Sequence, residues 1–224
     1  MAATRTGGAA MSGSRARDEI LARVRRSLGD VPAGDEVVVD WTYAQPTPLH
    51  SVLDTFEENI LDYGASLSRV SPDDVGRAVA AALRGMGAGS VVIPADLPAG
   101  WLQGWDDLPV VVDSGDLSAR DLDAIDAVVT GSLVSGAETG TICLDHGAGQ
   151  GRRAISLVPD RHVCVVTARS VVSDIPEAVA VLEASVRQGR PVTWISGGSA
   201  TSDIELSRVE GVHGPRQLHV VLVV

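Results

Sequence analysis

The chain has 224 residues, 45 % of them hydrophobic and 21 % charged. That composition suits one α/β domain or two small ones and excludes a chain disordered throughout. The net charge of −11 and the 3 % aromatic content argue against a nucleic-acid binder, which needs a basic surface and stacking side chains. All 18 basic residues are arginine, so a Schiff-base lysine is excluded.

No apolar run reaches the roughly 20 residues of a membrane span. The start, MAATRTGGAAMSGSRARDE, has no apolar stretch of the secretory kind. Cys143 and Cys164 sit in apolar runs, TICLD and HVCVV, and neither belongs to a CxxC. They read as buried reduced thiols in a cytoplasmic protein, not as ligands of a structural zinc or an iron–sulfur cluster.

In chain order, residues 1–14 read as a flexible tail. Ile20, Leu21, Val24 and Leu28 recur at helical spacing, and Gly29 ends that helix. Pro32, Pro46 and Pro48 mark an extended connector whose Trp41 and Tyr43 are expected to dock on the body. Residues 15–48 are therefore an arm, and residues 49–224 the domain. A helix is predicted over Leu49–Tyr63 and a strand over Ala65–Val70. Ser71-Pro72-Asp73-Asp74 has the composition of a capped helix start.

SVVIP, PVVVD, AVVTGS and HVCVV are continuous apolar runs. Strands of this kind are buried on both faces, as in a parallel sheet covered by helices. Ser118 is the predicted cap of a short helix, and Pro176–Gln188 a longer one stopped by Gly189. TICLD and RAISLVP, with a glycine-rich loop between them, suggest one inserted antiparallel hairpin. PVTWIS and QLHVVLVV close the chain as strands.

Three segments combine glycine with acids, hydroxyls and arginine. In ETGTICLDHGAGQGRR, Glu138 precedes Thr139-Gly140-Thr141, and Arg152 and Arg153 follow the loop. A carboxylate there has the chemistry of a general base or nucleophile, and either arginine that of a carboxylate clamp. In SGGSATSDIE, a strand runs into Gly197-Gly198-Ser199-Ala200-Thr201 and then Asp203 and Glu205. Glycine-rich backbone with hydroxyl donors suits a phosphate, carboxylate or pyrophosphate. It is neither a Walker A loop nor a dinucleotide fingerprint, and a plain capped turn has the same composition. VEGVHGPR carries His213, with Glu210 and Arg216 nearby, and a histidine in such a loop is a candidate acid or base. His50, His146, His162 and His219 have no metal-ligand spacing.

If PVTWIS belongs to the parallel sheet, its loop lies at the carboxyl ends of the strands, where α/β folds bind ligands. Glu138, Thr139, Ser199, Thr201 and Asp203 would then line one pocket. Arg152 or Arg153 and His213 would stand at its rim.

The same segments, ETGTICLDHGAGQGRRAISLVPDRHVCVV and GGSATSDIELSRVEGVHGPR, resemble the lactate-utilisation protein C family, whose core is the LUD domain. The likeness covers about residues 49–224. One departure stands at Gly198, where the family pattern has proline. Ser199, Thr201, Asp203 and Glu205 match. The resemblance implies a Rossmann-like, mostly parallel sheet with helices on both faces, similar to ribose-5-phosphate isomerase, glucosamine-6-phosphate deaminase and the CoA transferases. It also implies one component of a multi-protein system that oxidises L-lactate to pyruvate. In such systems the iron–sulfur clusters belong to partner proteins, and this chain needs no cofactor of its own. The competing expectation is a stand-alone enzyme for a sugar phosphate or CoA ester, with Glu138 as base or nucleophile. A pure assembly protein with structural motifs is the third.

Overall fold

The computed structural model describes residues 13–30, 45–106, 108–201, 209–211 and 213–224. Most of the expected tail and connector, with Trp41 and Tyr43, lies outside the described residues, as do Asp203 and Glu205. The first helix, α1, spans Gly13–Ser27 and belongs to a different unit from the body, Ala44–Val224. Ile20, Val24 and Leu28 fall on one helical face of that segment.

The body opens with α2 (Val52–Asp62), capped by Ser51, whose hydroxyl accepts the Asp54 N–H. Strand β1 (Ser66–Val70) follows. The next start differs in detail from the sequence expectation. Pro72–Asp74 forms a 3-10 turn before α3 (Val75–Gly85), and the Ser71 hydroxyl donates to the Asp74 carboxylate instead of accepting a backbone N–H. β2 (Val91–Pro94), β3 (Val110–Asp113), α4 (Ala119–Asp123) and β4 (Ala127–Thr130) come next. Ser118 and Asp121 form a reciprocal capping box at α4.

β5 (Val134–Gly136) and β6 (Thr141–Leu144) are joined by the Ala137–Gly140 turn. They form the inserted hairpin, and its partner strand corrects the sequence reading. RAISLVP is not a strand. Arg153–Ser156 makes a 3-10 turn that buries Ile155 against Val92, Leu122 and Val128. Tertiary burial of one isoleucine there outweighs the local apolar pattern. The chain ends with β7 (Arg161–Thr167), β8 (Val171–Val172), α5 (Ile175–Arg187), β9 (Thr193–Ile195), the short pair β10 (Ala200–Thr201) and β11 (Val209–Glu210), and β12 (Gln217–Val223).

Six strands form a wholly parallel sheet in the order β1-β12-β7-β4-β2-β3. Its centre matches the apolar runs, since β4 is buried throughout and β7 at every position but its ends. One face packs Val163, Val165 and Val221 on α3 through Val75, Val79 and Leu83. The other packs Cys164, Val166, Val220 and Leu222 against Phe56 and Ile60 of α2 and Ile142 and Leu144 of β6. That second face is therefore covered partly by helix and partly by a smaller sheet, β8-β5-β6-β9.

β9 belongs to this smaller sheet and runs antiparallel to β6, with Cys143 opposite Trp194. The expectation that PVTWIS extends the parallel sheet is corrected accordingly. Three residues long and at the sheet edge, it leaves Trp194 45 % exposed, which a central parallel strand would not tolerate.

The smaller sheet is tied down by one buried carboxylate. Asp145 accepts hydrogen bonds from Ser185 of α5 at 2.6 Å, from Gln150 at 2.8 Å and from the Gly147 N–H at 3.1 Å. It also pairs with Arg190 at 2.8 Å. Burial opposes the charge, but these four donors hold the carboxyl below its ordinary value. Both cysteines are free and buried, and burial pushes their thiols up to about 12.

Candidate functional site

Because β9 runs antiparallel to β6, it delivers the Gly197–Ser199 loop to the amino end of β12. The Ser199 N–H donates to the Pro215 carbonyl at 2.7 Å, and the Ser199 carbonyl accepts the Gly211 N–H at 2.8 Å. The Ser199 hydroxyl accepts the His213 N–H at 3.0 Å. Two of the three glycine-rich segments thus meet at one residue. Gly198 lies so close to the Arg216 carbonyl that any Cβ there would collide with it. Gly197 has φ of 93°, and a Cβ on it would come within 2.9 Å of Tyr63.

These contacts wall a cleft of about 270 Å³ lined by Leu157, His162, Thr193–Ser199, His213, Gly214 and Leu218, among others. It opens at the amino ends of β7 and β12, not at the carboxyl ends as the parallel-strand reading expected. The carboxyl-end crevice is a separate space of about 180 Å³ bordered by Asp96, Trp101, Gly131, Ser132 and Thr167.

The first glycine-rich segment reaches the cleft only through hydroxyls. Thr139 Oγ1 lies 2.8 Å from Thr141 Oγ1, and Thr141 Oγ1 lies 2.8 Å from Ser196 Oγ, a lining atom. Gly140 closes the turn beside Asn59. Glu138 is exposed on that turn, accepts the Thr47 hydroxyl at 3.3 Å, and does not line the cleft. Arg152 is far from a rim position. Its guanidinium pairs with Asp113 at 2.8 Å, at the end of β3, and donates to the Leu117 carbonyl at 2.6 Å. Arg153 is exposed beside the same 3-10 turn. Arg216 pairs with Asp160 at 2.9 Å next to the loop. Thr201 contributes backbone to β10, pairing with Val209.

Two histidines missed by the sequence reading bear on this cleft. His146 has a left-handed φ of 56° and bridges the Gly151 carbonyl at 3.0 Å and the lining residue Thr193 at 2.8 Å. Burial lowers its pKa. His162 is 1 % exposed, yet it lines the cleft. Its Nε2 lies 2.7 Å from Thr130 Oγ1, and its Nδ1 is buried with no hydrogen-bond partner among the described residues. An unpaired buried polar atom costs about 1–3 kcal/mol. Burial pushes the ring down to about 4, so it is neutral at physiological pH. In sequence it was concealed inside the apolar run HVCVV. Its single signal was a titratable residue on a face shared with Cys164 and Val166.

Among the described residues no group of three or more His, Cys, Asp or Glu is placed to hold a metal ion. No described helix is long and apolar enough to cross a membrane.

A parallel six-stranded sheet, a smaller mixed sheet on one face and a glycine-walled cleft between them define a two-sheet α/β protein. Residues 53–223 match the LUD domain. The chain belongs to the LUD domain family. It is 49 % identical over 215 residues to a protein of Deinococcus radiodurans named lactate utilization protein C, covering 95 % of this chain and 97 % of that one. A Geobacillus thermodenitrificans protein of the same name is 26 % identical over 92 % of this chain and 95 % of its own. The crystal structure of a DUF162 family protein from Deinococcus radiodurans superposes with a TM-score of 0.67 at 48 % identity, covering 77 % of this chain and 96 % of that one.

Two outcomes follow from this geometry. Gly198→Ala should lower stability by about 1–3 kcal/mol, the usual cost of a forced overlap. Gly214→Ala, where a Cβ meets nothing nearer than 3.8 Å, should change it by less than about 0.5 kcal/mol. Urea unfolding of both variants checks this, and equal effects would contradict the close approach. The second concerns pH. His162 is lowered to about 4 in the folded state, against about 6.5 unfolded. Between those values the unfolded chain binds more protons, so stability falls as pH drops from 6.5 to 4, by roughly 3 kcal/mol. His146 and His219, also lowered by burial, add to the same slope, and the depressed aspartates add to it at the acid end of that window and below. Unfolding free energies measured at steps across it should fall less steeply in His162→Gln than in the wild type, and equal slopes in the two would contradict the buried neutral ring.

Proposed function

We propose that this chain is a component of a multi-protein system that oxidises L-lactate to pyruvate, and that it acts there without an iron–sulfur cluster of its own. The clusters are assigned to iron–sulfur partner proteins. The chain's part is to bind a small carboxylate or phosphate, or a partner, through the glycine-rich cleft. The observation that carries this reading is the near full-length likeness to a protein named lactate utilization protein C, joined to the cleft that Gly197–Ser199 and His213 wall. Glycine-rich backbone beside hydroxyls is a general anion-binding arrangement. The two buried thiols suit a cytoplasmic location.

Within this reading Ser199 and His213 are the nearest ligand contacts, and Thr139 and Thr141 support them through Ser196. Thr201, Asp203, Glu205 and Arg216 remain proposed contacts of the same loop. Glu138, exposed and bonded to Thr47, gives no specific support to the reading of a stand-alone sugar-phosphate or CoA-ester enzyme.

The test is reconstitution of lactate oxidation with the partner proteins held constant. Oxidation should require this chain, and the isolated chain should not reduce a dye with lactate. Full-rate oxidation by the partners alone, or dye reduction by the isolated chain, would overturn the reading.

A further inference from the structure

A second groove, of about 400 Å³, lies between α5 and β9. α5 turns Ala178, Leu182 and Ser185 inward, against the smaller sheet. Val179 and Val186, two turns apart, stand one step further round the helix and stay 50 % and 57 % exposed. Across the groove Trp194 is 45 % exposed. β9 is the last strand of its sheet, so no described strand covers it on the outer side. Three large apolar side chains exposed together and rimmed by charge form a patch of the kind that marks an interaction site.

The charges of the groove point to its occupant. The chain as a whole carries −11, and that excess repels a second copy over most of the surface. In the groove the charges cancel, because its charged lining residues are Glu183 and Arg187, paired at 2.6 Å. The same two residues make the face self-complementary. With a two-fold axis level with Val186, α5 of one copy runs antiparallel to α5 of the other. Val186 then meets its own copy, and Arg187 comes within reach of Glu183 of the second copy. Within one helix the pair is largely exposed and contributes little in water, so exchanging partners costs little.

We infer that the α5–β9 groove is the surface through which two copies of this chain pair about a two-fold axis, with Val179, Val186 and Trp194 at its centre and Glu183 and Arg187 exchanging partners at its rim. Trp194 gives the pairing a bearing on the candidate site, because it lines both the groove and the cleft. Each copy then packs against the outer side of a wall of the other's cleft. The pairing does not depend on the proposed lactate role.

Sedimentation equilibrium of the full chain tests it. The wild type should show a reversible monomer–dimer equilibrium with a Kd on the order of tens of micromolar, since three apolar side chains per copy fall short of the roughly 800 Å² per partner that a standard interface buries. Val186→Asp should weaken the dimer by about tenfold or more, with an unchanged urea midpoint because the position is exposed. The Trp194 indole N–H resonance should shift with chain concentration in the wild type and stay fixed in Val186→Asp. Arg187→Glu and Glu183→Arg should each be monomeric, because both rims then carry one sign. An equimolar mixture of those two variants should recover a dimer with one copy of each. A wild type that stays monomeric at about tenfold above that Kd would overturn the inference and leave the groove to a different protein. A dimer indifferent to Val186→Asp, or a mixture of the two charge variants that stays monomeric, would overturn it equally.

Discussion

Ser199 uses its N–H, its carbonyl and its hydroxyl on one short segment, residues 211–215. That three-point attachment is the constraint on which the candidate site depends. It joins the loop leaving β9 to the strand entering β12, two places that the sequence separates by the segment carrying the β10 and β11 pair. It also explains why glycine stands at 198. The two backbones approach so closely that a side chain would push the Arg216 carbonyl away. The approach is made by omission of a Cβ.

The attachment works only because both sides are themselves fixed. β12 lies between β1 and β7, paired with β7 over its whole length and with β1 from His219 onward, with leucine and valine buried on both faces. β9 is held through β6, and β6 runs into Asp145, whose four donors come from a loop, from α5 and from the arginine just before β9. A buried carboxylate with all its partners in place is a rigid junction. Losing any one of them would leave desolvated charge behind. The cleft is the space between a parallel sheet anchored by burial and a small sheet anchored by that junction.

Much of this was legible in the sequence, for identifiable reasons. Runs such as VVIP and HVCVV read as strands buried on both faces and lie in the parallel sheet, but PVVVD, read the same way, is its edge strand β3 and leaves Val110 and Val112 exposed. Ser118 was legible as a helix cap and Pro176 as the start of a longer helix; the partners Asp121 and Asp174 came only from the structure. PVTWIS misled because a three-residue edge strand with an exposed tryptophan has the same letters as a central one. RAISLVP misled because Ile155 is buried from a 3-10 turn, where apolar content carries no period. At the site, Gly197, Gly198, Ser199 and His213 were recognisable from glycine next to hydroxyl and histidine. Arg152 was also singled out, but arginine beside glycine does not reveal that a buried Asp113 waits at the end of β3. His162 escaped because its environment is made by Thr130 and Leu218, which only the folded sheet brings alongside.

The central claim is that the second and third glycine-rich segments form one wall, held at Ser199. Amide hydrogen exchange followed by NMR on the full chain reads this directly, since the Ser199, Gly211 and His213 N–H groups are its three donors. The account predicts that all three exchange far more slowly than in an unstructured peptide, and together, as members of one cooperative unit. Exchange of these amides at unstructured-peptide rates, while the β7 and β12 amides stay protected, would contradict it.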